Sequence, residues 1–297
     1  MNILRILQQV DRRFLYALLM LAVCIPFFFT GRIPVPISPE TRALYTRIEE
    51  LPPDSFVLIG MDWSASTRGE NGAQAEALMR HLMKRRLRFA MIAFANPQGS
   101  TLGQELAERL QGEYGVTQGK DWCNFGYKTD QQNFLQAFVR NIPASVGTDE
   151  RGLPLETLPV MKGIYSGKDI SLFLEITGTN TYNVYIQFLQ GPANVPMGVA
   201  LTAVMSAEAY NYLDSKQIIG LVNGLKGAIE YEQLLPAFGK ASHASNSSSL
   251  AHLLIITFII LGNIAMLLER RQRSRPGGMS SSQQPSSQNS SSQRGTQ

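Results

Sequence analysis

The chain has 297 residues, an apolar content of 44% and a formal net charge of +4 at pH 7. This length allows one domain of about 200 residues with attached segments. Between residues 31 and 249 there are 19 Lys and Arg against 21 Asp and Glu, so the net charge of that region is −2. The basic excess lies at the two ends, where membrane lipid is the expected partner. We predict no nucleic-acid partner.

Two windows, Phe14–Gly31 and Leu250–Leu268, contain no charged residue. A hydrocarbon core of about 30 Å needs roughly 20 apolar residues at a helical rise of about 1.5 Å, so both windows are long enough to cross a membrane. The first window could instead belong to a cleaved signal peptide, but it ends in bulky phenylalanines without a small-residue cleavage site. We therefore predict two transmembrane helices.

Arginines flank both windows on their outer sides and determine the expected orientation. They are Arg5, Arg12, Arg13, Arg270, Arg271, Arg273 and Arg275. Because Lys and Arg are retained on the cytoplasmic side, residues 1–13 and 269–297 are predicted to be cytoplasmic. The main domain, residues 32–238, then lies outside the cytoplasm. Residues 239–249 read as a flexible tether, and the polar C-terminal tail is predicted to be disordered.

Apolar runs alternate with amphipathic segments across the main domain. The runs Ser55–Met61, Arg88–Phe94, Ile170–Thr177 and Gly198–Met205 predict strands, and Trp122–Tyr127 is a weaker candidate. The segments between them carry apolar residues at helical spacing. This alternation predicts an α/β fold with a mostly parallel, doubly wound sheet and flanking helices. The connector 141–167 has little periodicity, and a loop of that length usually binds something or has a function.

Ligands of open α/β sheets gather outside the carboxyl ends of the strands. The polar residues that follow the predicted strands therefore form a candidate ligand-binding rim. They are Asp62, Ser64, Ser66, Asn96, Lys128, Thr177, Ser206 and Tyr210. Because every α/β domain has such a rim, these residues alone do not identify a ligand.

The segment GMDWSAST resembles the metal-ion-dependent adhesion motif of von Willebrand factor A domains. In that family a carboxylate and two hydroxyls at a strand end hold Mg²⁺, which prefers oxygen ligands. Asp62, Ser64 and Ser66 match the motif, and Thr129 is the candidate for its threonine. The later aspartate is missing, which lowers the expected metal affinity. A magnesium-dependent adhesion domain is one alternative function, and no other cofactor is expected.

Signatures of catalysis are weak in this sequence. There is no Gly-x-Ser-x-Gly elbow, no P-loop and no Gly-rich dinucleotide turn, and the three histidines are scattered. These features favour a binding function over an enzyme. A small-molecule-sensing or hydrolytic pocket at the strand ends is the second alternative.

The segment KQIIGLVNGLKGAIEYEQLL is predicted to be the last helix of the domain. Gly220, Gly224, Gly227 and Tyr231 would then share one helical face. Each glycine inside a helix costs about 0.8–1 kcal/mol relative to alanine, so close packing must offset the cost. That packing is internal, against another subunit or against a ligand. The stripe is accordingly a candidate interface with a protein partner or a second copy of the chain.

The last third of the domain resembles a group of uncharacterised bacterial membrane proteins. The residues that carry this likeness are Tyr210, Tyr212, Gln217, Gly220, Gly224, Lys226, Gly227, Glu230 and Tyr231. The resemblance implies a membrane-anchored α/β domain. The layout is also distantly similar to auxiliary domains of ABC-type transport systems, such as those linked to gliding motility, which is an analogy of fold only. We expect a membrane-anchored binding or assembly subunit, an accessory component of a transport or envelope complex.

Overall fold

The computed structural model describes residues 12–24, 35–235, 254–264 and 266–267. Residues 35–235 carry the α/β domain, and the other described residues lie in helical segments near the two ends. The predicted tether and tail, and parts of both predicted membrane spans, lie outside the described residues. Among the helices in the described ranges, none combines the length and the apolar character needed to cross a membrane.

The domain alternates strands and helices along the chain. The strands are β1 (Phe56–Asp62), β2 (Arg88–Ala93), β3 (Trp122–Tyr127), β4 (Leu172–Thr177), β5 (Met197–Leu201) and β6 (Gly220–Asn223). The helices are α1 (Arg12–Cys24), α2 (Pro39–Glu49), α3 (Ala73–Lys84), α4 (Pro97–Tyr114), α5 (Gln131–Arg140), α6 (Ile142–Val146), α7 (Tyr182–Tyr185), α8 (Gly191–Ala193), α9 (Ser206–Asp214) and α10 (Gly224–Leu234). Residues 254–264 are also helical. Two π-helical turns, Arg68–Gly72 and Ile186–Gln190, adjoin α3 and α7.

The six strands form one sheet in the order β3-β2-β1-β4-β5-β6. All five pairings between neighbouring strands are parallel. Every residue of β1 and β4 is buried, because helices cover both faces of the sheet. This explains the continuous apolar runs, and the prediction of a mostly parallel α/β sheet with flanking helices is confirmed.

Two apolar cores lie on opposite faces of the sheet. Successive residues of β1 point to different cores, so Leu58 belongs to one and Ile59 to the other. The core around Leu58 contains side chains of α5, α7 and the connector 141–167. The core around Ile59 contains side chains of α2, α3, α4 and α10.

The long connector has a structural role. Leu155, Val160 and Ile164 are buried in the core on the α5 side. The guanidinium of Arg88 fixes the connector by donating to the carbonyl oxygens of Val160 (3.0 Å) and Lys162 (2.7 Å). A segment without periodicity is therefore held by scattered apolar contacts. A binding role for it stays a prediction.

The prediction of the last helix is wrong at its N-terminal end. Gly220 lies in β6, and α10 begins only at Gly224. A Cβ at Gly220 would lie 2.7 Å from Leu44 Cβ, so this glycine lets α2 approach the sheet. Gly224 has φ +59 at the turn from strand to helix, a conformation that favours glycine. The glycines therefore do not form one helical stripe.

The residues of the predicted interface stripe pack inside the domain. A Cβ at Gly227 would lie 2.9 Å from the backbone of Val222. Gly220, Gly224 and Tyr231 are buried as well. Of the alternatives that the sequence allows, the structure shows internal packing at all four positions, and this leaves no exposed stripe for another subunit.

A buried histidine joins three helices in the core on the α3 side. His81 is 0% exposed; its Nδ1 lies 2.7 Å from the Tyr231 hydroxyl and its Nε2 lies 3.0 Å from Glu49 Oε1. The ring stacks on Tyr45 at a centroid distance of 4.5 Å. Neutral imidazole satisfies both contacts when Nε2–H donates to Glu49 and Nδ1 accepts from Tyr231. Burial outweighs the nearby Glu49 and lowers the pKa of His81 to about 4.

This histidine makes the domain acid-sensitive. Because the folded pKa is depressed, the unfolded state binds the additional proton as the pH falls from 6.5 towards 4. The free energy of unfolding should fall in that window by on the order of 3 kcal/mol. In urea titrations across this range, the stability difference between the native chain and His81→Gln should narrow as the pH falls. A difference that stays constant with pH would contradict this account.

Candidate functional site

The chain changes direction in the sheet between β1 and β4. It passes from β1 outwards to β2 and β3, then returns to place β4 on the other side of β1 and continues to β5 and β6. The loops after β1 and β4 (residues 63–72 and 178–181) therefore leave adjacent strands in opposite directions. Such a topological switch point is where doubly wound sheets bind ligands. The two loops touch, since a Cβ at Gly178 would lie 2.9 Å from Thr67 Cγ2, and we call the surface that they form together the β1/β4 crevice.

A buried carboxylate forms part of the floor of the crevice. Asp62, the last residue of β1, accepts backbone N–H bonds from Phe94 (2.5 Å) and Ala95 (2.6 Å) through Oδ1. Its Oδ2 accepts a hydrogen bond from the Tyr185 hydroxyl at 3.0 Å. These contacts tie the end of β1 to the loop after β2 and to α7.

A second buried carboxyl group lies beside the first. Glu175 of β4 is opposite Gly60 of β1 in the sheet register, and its carboxyl group is within hydrogen-bonding reach of Asp62. Gly60 is required here, because a Cβ at that position would lie 1.8 Å from Glu175 Oε2. Oε1 of Glu175 accepts from the Thr181 hydroxyl at 2.7 Å, whereas no described donor reaches Oε2.

Burial acts on both members of the carboxyl pair. Burial, followed by the charge of Asp62, raises the pKa of Glu175 well above its ordinary value. Burial also raises the pKa of Asp62, although the donors from Ala95 and Phe94 offset part of that effect. These directions favour a protonated Glu175 beside an ionised Asp62.

Threonine hydroxyls connect this floor to the surface. Thr181 bonds Glu175 and lies 2.9 Å from the Thr177 hydroxyl. Thr177 Oγ1 is 3.0 Å from the Asp62 carbonyl oxygen and 3.1 Å from the hydroxyl of Thr179, which is exposed. Hydroxyls both donate and accept, so the chain of threonines links the buried pair to solvent by continuous hydrogen bonds.

Two buried amides close the neighbouring part of the same sheet edge. Gln74 Nε2 donates to the carbonyl oxygens of Leu201 (2.7 Å), Val222 (3.1 Å) and Gly224 (3.1 Å), at the ends of β5 and β6. Asn71 Nδ2 bonds Gln74 Oε1 at 2.9 Å and the Thr177 carbonyl oxygen at 3.1 Å. The protein's own side chains thus occupy the strand ends from β4 to β6.

The structure brings part of the predicted rim together. Asp62 and Thr177 meet at the floor of the crevice. Ser64 and Ser66 lie on the first loop with their hydroxyl oxygens 2.7 Å apart. These four residues belong to the β1/β4 crevice.

The remaining rim residues have separate local roles. Asn96 accepts from the backbone N–H of Gln98 at 2.9 Å and caps α4. Ser206 donates to the Ala203 carbonyl oxygen at 2.8 Å. On the β5–β6 side, Tyr210 donates to Glu40 Oε1 at 2.8 Å. Half-buried Lys128 lies after β3, and burial lowers its pKa while the nearby Glu150 partly offsets the effect.

The residues of the predicted magnesium motif are not assembled around a common point. Both oxygens of Asp62 already accept hydrogen bonds in a buried position. Thr129 follows β3, which is separated from β1 by β2, so the two strands lie about 10 Å apart. Within the described ranges, no group of three or more His, Cys, Asp or Glu side chains could hold a metal ion.

Sequence reasoning missed Glu175, Gly60 and Tyr185. One signal was present: Glu175 is the only charge in the apolar run ISLFLEIT, and a charge in a strand buried on both faces indicates a polar partner inside. Tyr185 had no comparable signal, since its hydroxyl reaches Asp62 only after α7 folds back over the sheet.

Comparisons with known proteins show only a distant likeness. No family model and no curated protein matches the chain. Similar solved structures include an OtsA apo structure (15% identity, TM-score 0.34, covering 74% of this chain and 44% of that chain). Another is the N-terminal domain of Candida albicans trehalose-6-phosphate phosphatase (12%, 0.35, 75% and 43%). A third is an α,α-trehalose-phosphate synthase (UDP-forming) from Burkholderia vietnamiensis (14%, 0.32, 81% and 52%).

The chain spans about half the length of these structures, or less. Likenesses at such TM-scores say nothing about the function of this protein. The likeness to ABC-transport auxiliary domains stays a prediction.

The protonated state of Glu175 predicts a pH dependence. Because its folded pKa lies above the unfolded value near 4.5, its contribution to stability is present below pH 4.5 and is lost as the pH rises through the folded pKa. Glu175→Gln keeps an acceptor for Thr181 and a donor for Asp62 but cannot ionise. Its free energy of unfolding should exceed that of the native chain at pH 8 by at least about 1.4 kcal/mol, the equivalent of one pKa unit.

The matched control is Glu156→Gln, which removes an exposed carboxylate from the connector. Urea titrations at pH 5 and pH 8 provide the comparison. A Glu175→Gln chain that is less stable than the native chain at both values would show that Glu175 is ionised in the fold.

Proposed function

We propose that this chain is a two-span membrane protein whose α/β domain lies outside the cytoplasm and serves as a binding subunit, an accessory component of a transport or envelope complex. The observation that carries the proposal is the β1/β4 crevice, where open polar loops lie over a sealed pair of carboxyl groups. Recognition, rather than covalent chemistry, is what this arrangement supports.

The burial of the carboxyl groups favours binding over catalysis. A general base must lie within hydrogen-bonding distance, about 2.6–3.2 Å between heavy atoms, of the group whose proton it removes. Asp62 and Glu175 are 1% and 0% exposed and are engaged by internal donors. In contrast, Ser66 and Asn180 are exposed on the two loops, where a ligand or partner reaches them directly.

Exposed apolar side chains at the same sheet edge favour a protein partner. Val204, just after β5, is 87% exposed, and Tyr127, at the end of β3, is also exposed. Apolar and aromatic side chains beside polar loops are the usual composition of protein interfaces.

The end segments support attachment to a membrane. Residues 254–264 are helical and expose Ile255, Ile256, Ile259 and Ile260. Leu261 is exposed on the side of the helix roughly opposite these four isoleucines. Apolar side chains therefore extend around most of the helix circumference. Lipid would cover such a surface, and the arginines outside the two charge-free windows favour cytoplasmic ends.

The orientation predicts which cysteines a membrane-impermeant maleimide reaches. In a Cys24→Ser background, Glu156→Cys should be labelled in intact spheroplasts, because the connector faces away from the cytoplasm. Ser274→Cys should be labelled only after lysis. Native Cys123 is 0% exposed and burial raises the pKa of its thiol, so the maleimide should not label it. Labelling of Glu156→Cys only after lysis would place the domain in the cytoplasm.

The binding role predicts a loss of contacts when the crevice is blocked. Asn180→Arg adds a bulky charge to an exposed loop position. In native membranes, a chemical crosslinker should join this chain to its protein partner. Asn180→Arg should lower the yield of that crosslinked adduct by about fivefold or more, which corresponds to a loss of roughly 1 kcal/mol of binding free energy. Asn211→Arg, at an exposed position of α9, is the matched control. Equal adduct yields from the two variants would remove the crevice as the contact site.

A further inference from the structure

A cavity of about 390 Å³ opens beside the first loop of the crevice. The π-helical turn Arg68–Gly72, the beginning of α3 and the middle of α4 surround it. Trp63, Leu102 and Leu106 supply its apolar lining. The volume falls in the range of small-molecule sites, about 300–1,000 Å³.

Charged side chains line the cavity in two groups. Glu76 is buried and already neutralised, because it bonds Arg109 at 2.8 Å and Arg80 at 3.1 Å. Arg68 and Glu105 also line the cavity and are exposed. Within the part of the chain that the structure describes, neither of these two has a hydrogen bond or an ion pair. The cavity thus offers one unpaired cation and one unpaired anion beside an apolar surface.

We propose that this cavity binds a small zwitterion of the α-amino-acid type, an assignment that rests on the proposed binding function. A guanidinium receives a carboxylate through two parallel hydrogen bonds, so Arg68 holds the ligand's carboxylate. The carboxylate of Glu105 accepts from the ligand's ammonium group. An apolar ligand side chain then packs on Trp63. A ligand with a single charge leaves either Arg68 or Glu105 unpaired.

The backbone beside the cavity is shaped to leave this space open. π-Helical turns are rare in proteins, and those that occur are often found at functional sites. Gly72, which ends the turn, has helical backbone angles (φ −65, ψ −37), so its backbone does not demand glycine. A Cβ there would lie 3.6 Å from Trp63 Cη2 and 3.1 Å from Arg68 Cγ, between two residues that line the cavity. The missing side chain therefore preserves the cavity.

Titrations of the detergent-solubilised full chain with L-leucine and L-phenylalanine test the proposal, with tryptophan fluorescence and the thermal midpoint as readouts. Trp63 lines the cavity, whereas the chain's other tryptophan, Trp122, is fully buried in β3. We expect saturable binding of both amino acids. N-acetyl-leucine lacks the ammonium group and leucine amide lacks the carboxylate, and each should bind about tenfold or more weakly.

Variants separate the cavity from general effects on the fold. Arg68→Ala and Glu105→Gln should each weaken L-leucine binding by about tenfold. Gly72→Leu should abolish it by filling the space. Gly112→Leu is the matched control, because Gly112 also lies in a helix and a Cβ there meets nothing within 4 Å.

Three results would overturn the assignment: no binding of either amino acid at about 10 mM, equal binding of the blocked forms, or unchanged binding in Arg68→Ala and Glu105→Gln. The crosslinking comparison of Asn180→Arg with Asn211→Arg is independent of this titration. If Asn180→Arg lowers the adduct yield relative to Asn211→Arg while no amino acid binds, the proposed ligand class is wrong and the binding role is retained. If both fail, the binding role itself is lost.

Discussion

The buried carboxyl pair of Asp62 and Glu175 is the feature on which the edge of this sheet depends. Asp62 receives donors from three directions, namely the backbone after β2, the hydroxyl of Tyr185 and the proton of Glu175. With one charge instead of two, the buried pair needs no Lys or Arg partner. The loops after β1 and β4 both start beside this pair.

The same edge is divided into a sealed part and an open part. Asn71 and Gln74 project from the turn that begins α3 and occupy carbonyl groups at the ends of β4, β5 and β6. This leaves the surfaces of the loops 63–72 and 178–181 as the open part of the edge, which is the binding surface that we propose. Because the sealing amides and the cavity residue Arg68 belong to one short stretch, the π-helical turn both closes the edge and shapes the cavity.

Sequence patterns predicted the sheet well because its strands are buried on both faces. Runs such as VLIGM leave little alternative to a central strand, and even the weak candidate Trp122–Tyr127 has the predicted bounds. The prediction failed at Gly220–Asn223, where the apolar residues fit helical and strand periods equally well. The short strand forms there because β5 offers an open edge and Gly220 admits α2, and both are tertiary effects.

The candidate site was predicted less well, because it also depends on tertiary contacts. Asp62 and Thr177 lie at the ends of recognisable strands, so topology alone brings them together. The partners that define their chemistry are contributed by distant segments: Glu175 lies 113 residues after Asp62 along the chain, and Tyr185 lies on a four-residue helix. A serine pattern such as DWSAS therefore suggested a metal site, although the aspartate faces inwards to donors that no local motif shows.

Burial of the glycines moves the expected point of association from a helix to the loops. A glycine stripe on a surface helix would have offered close backbone contact to another chain, but Gly220 and Gly227 use that closeness for α2 and β6. What the domain presents at the C-terminal edge of its sheet is a set of polar loops together with Val204 and Tyr127. The recognition that we propose there would need no opening of the core, because the carboxyl pair is buried beneath the loops and only their exposed side chains would make the contacts.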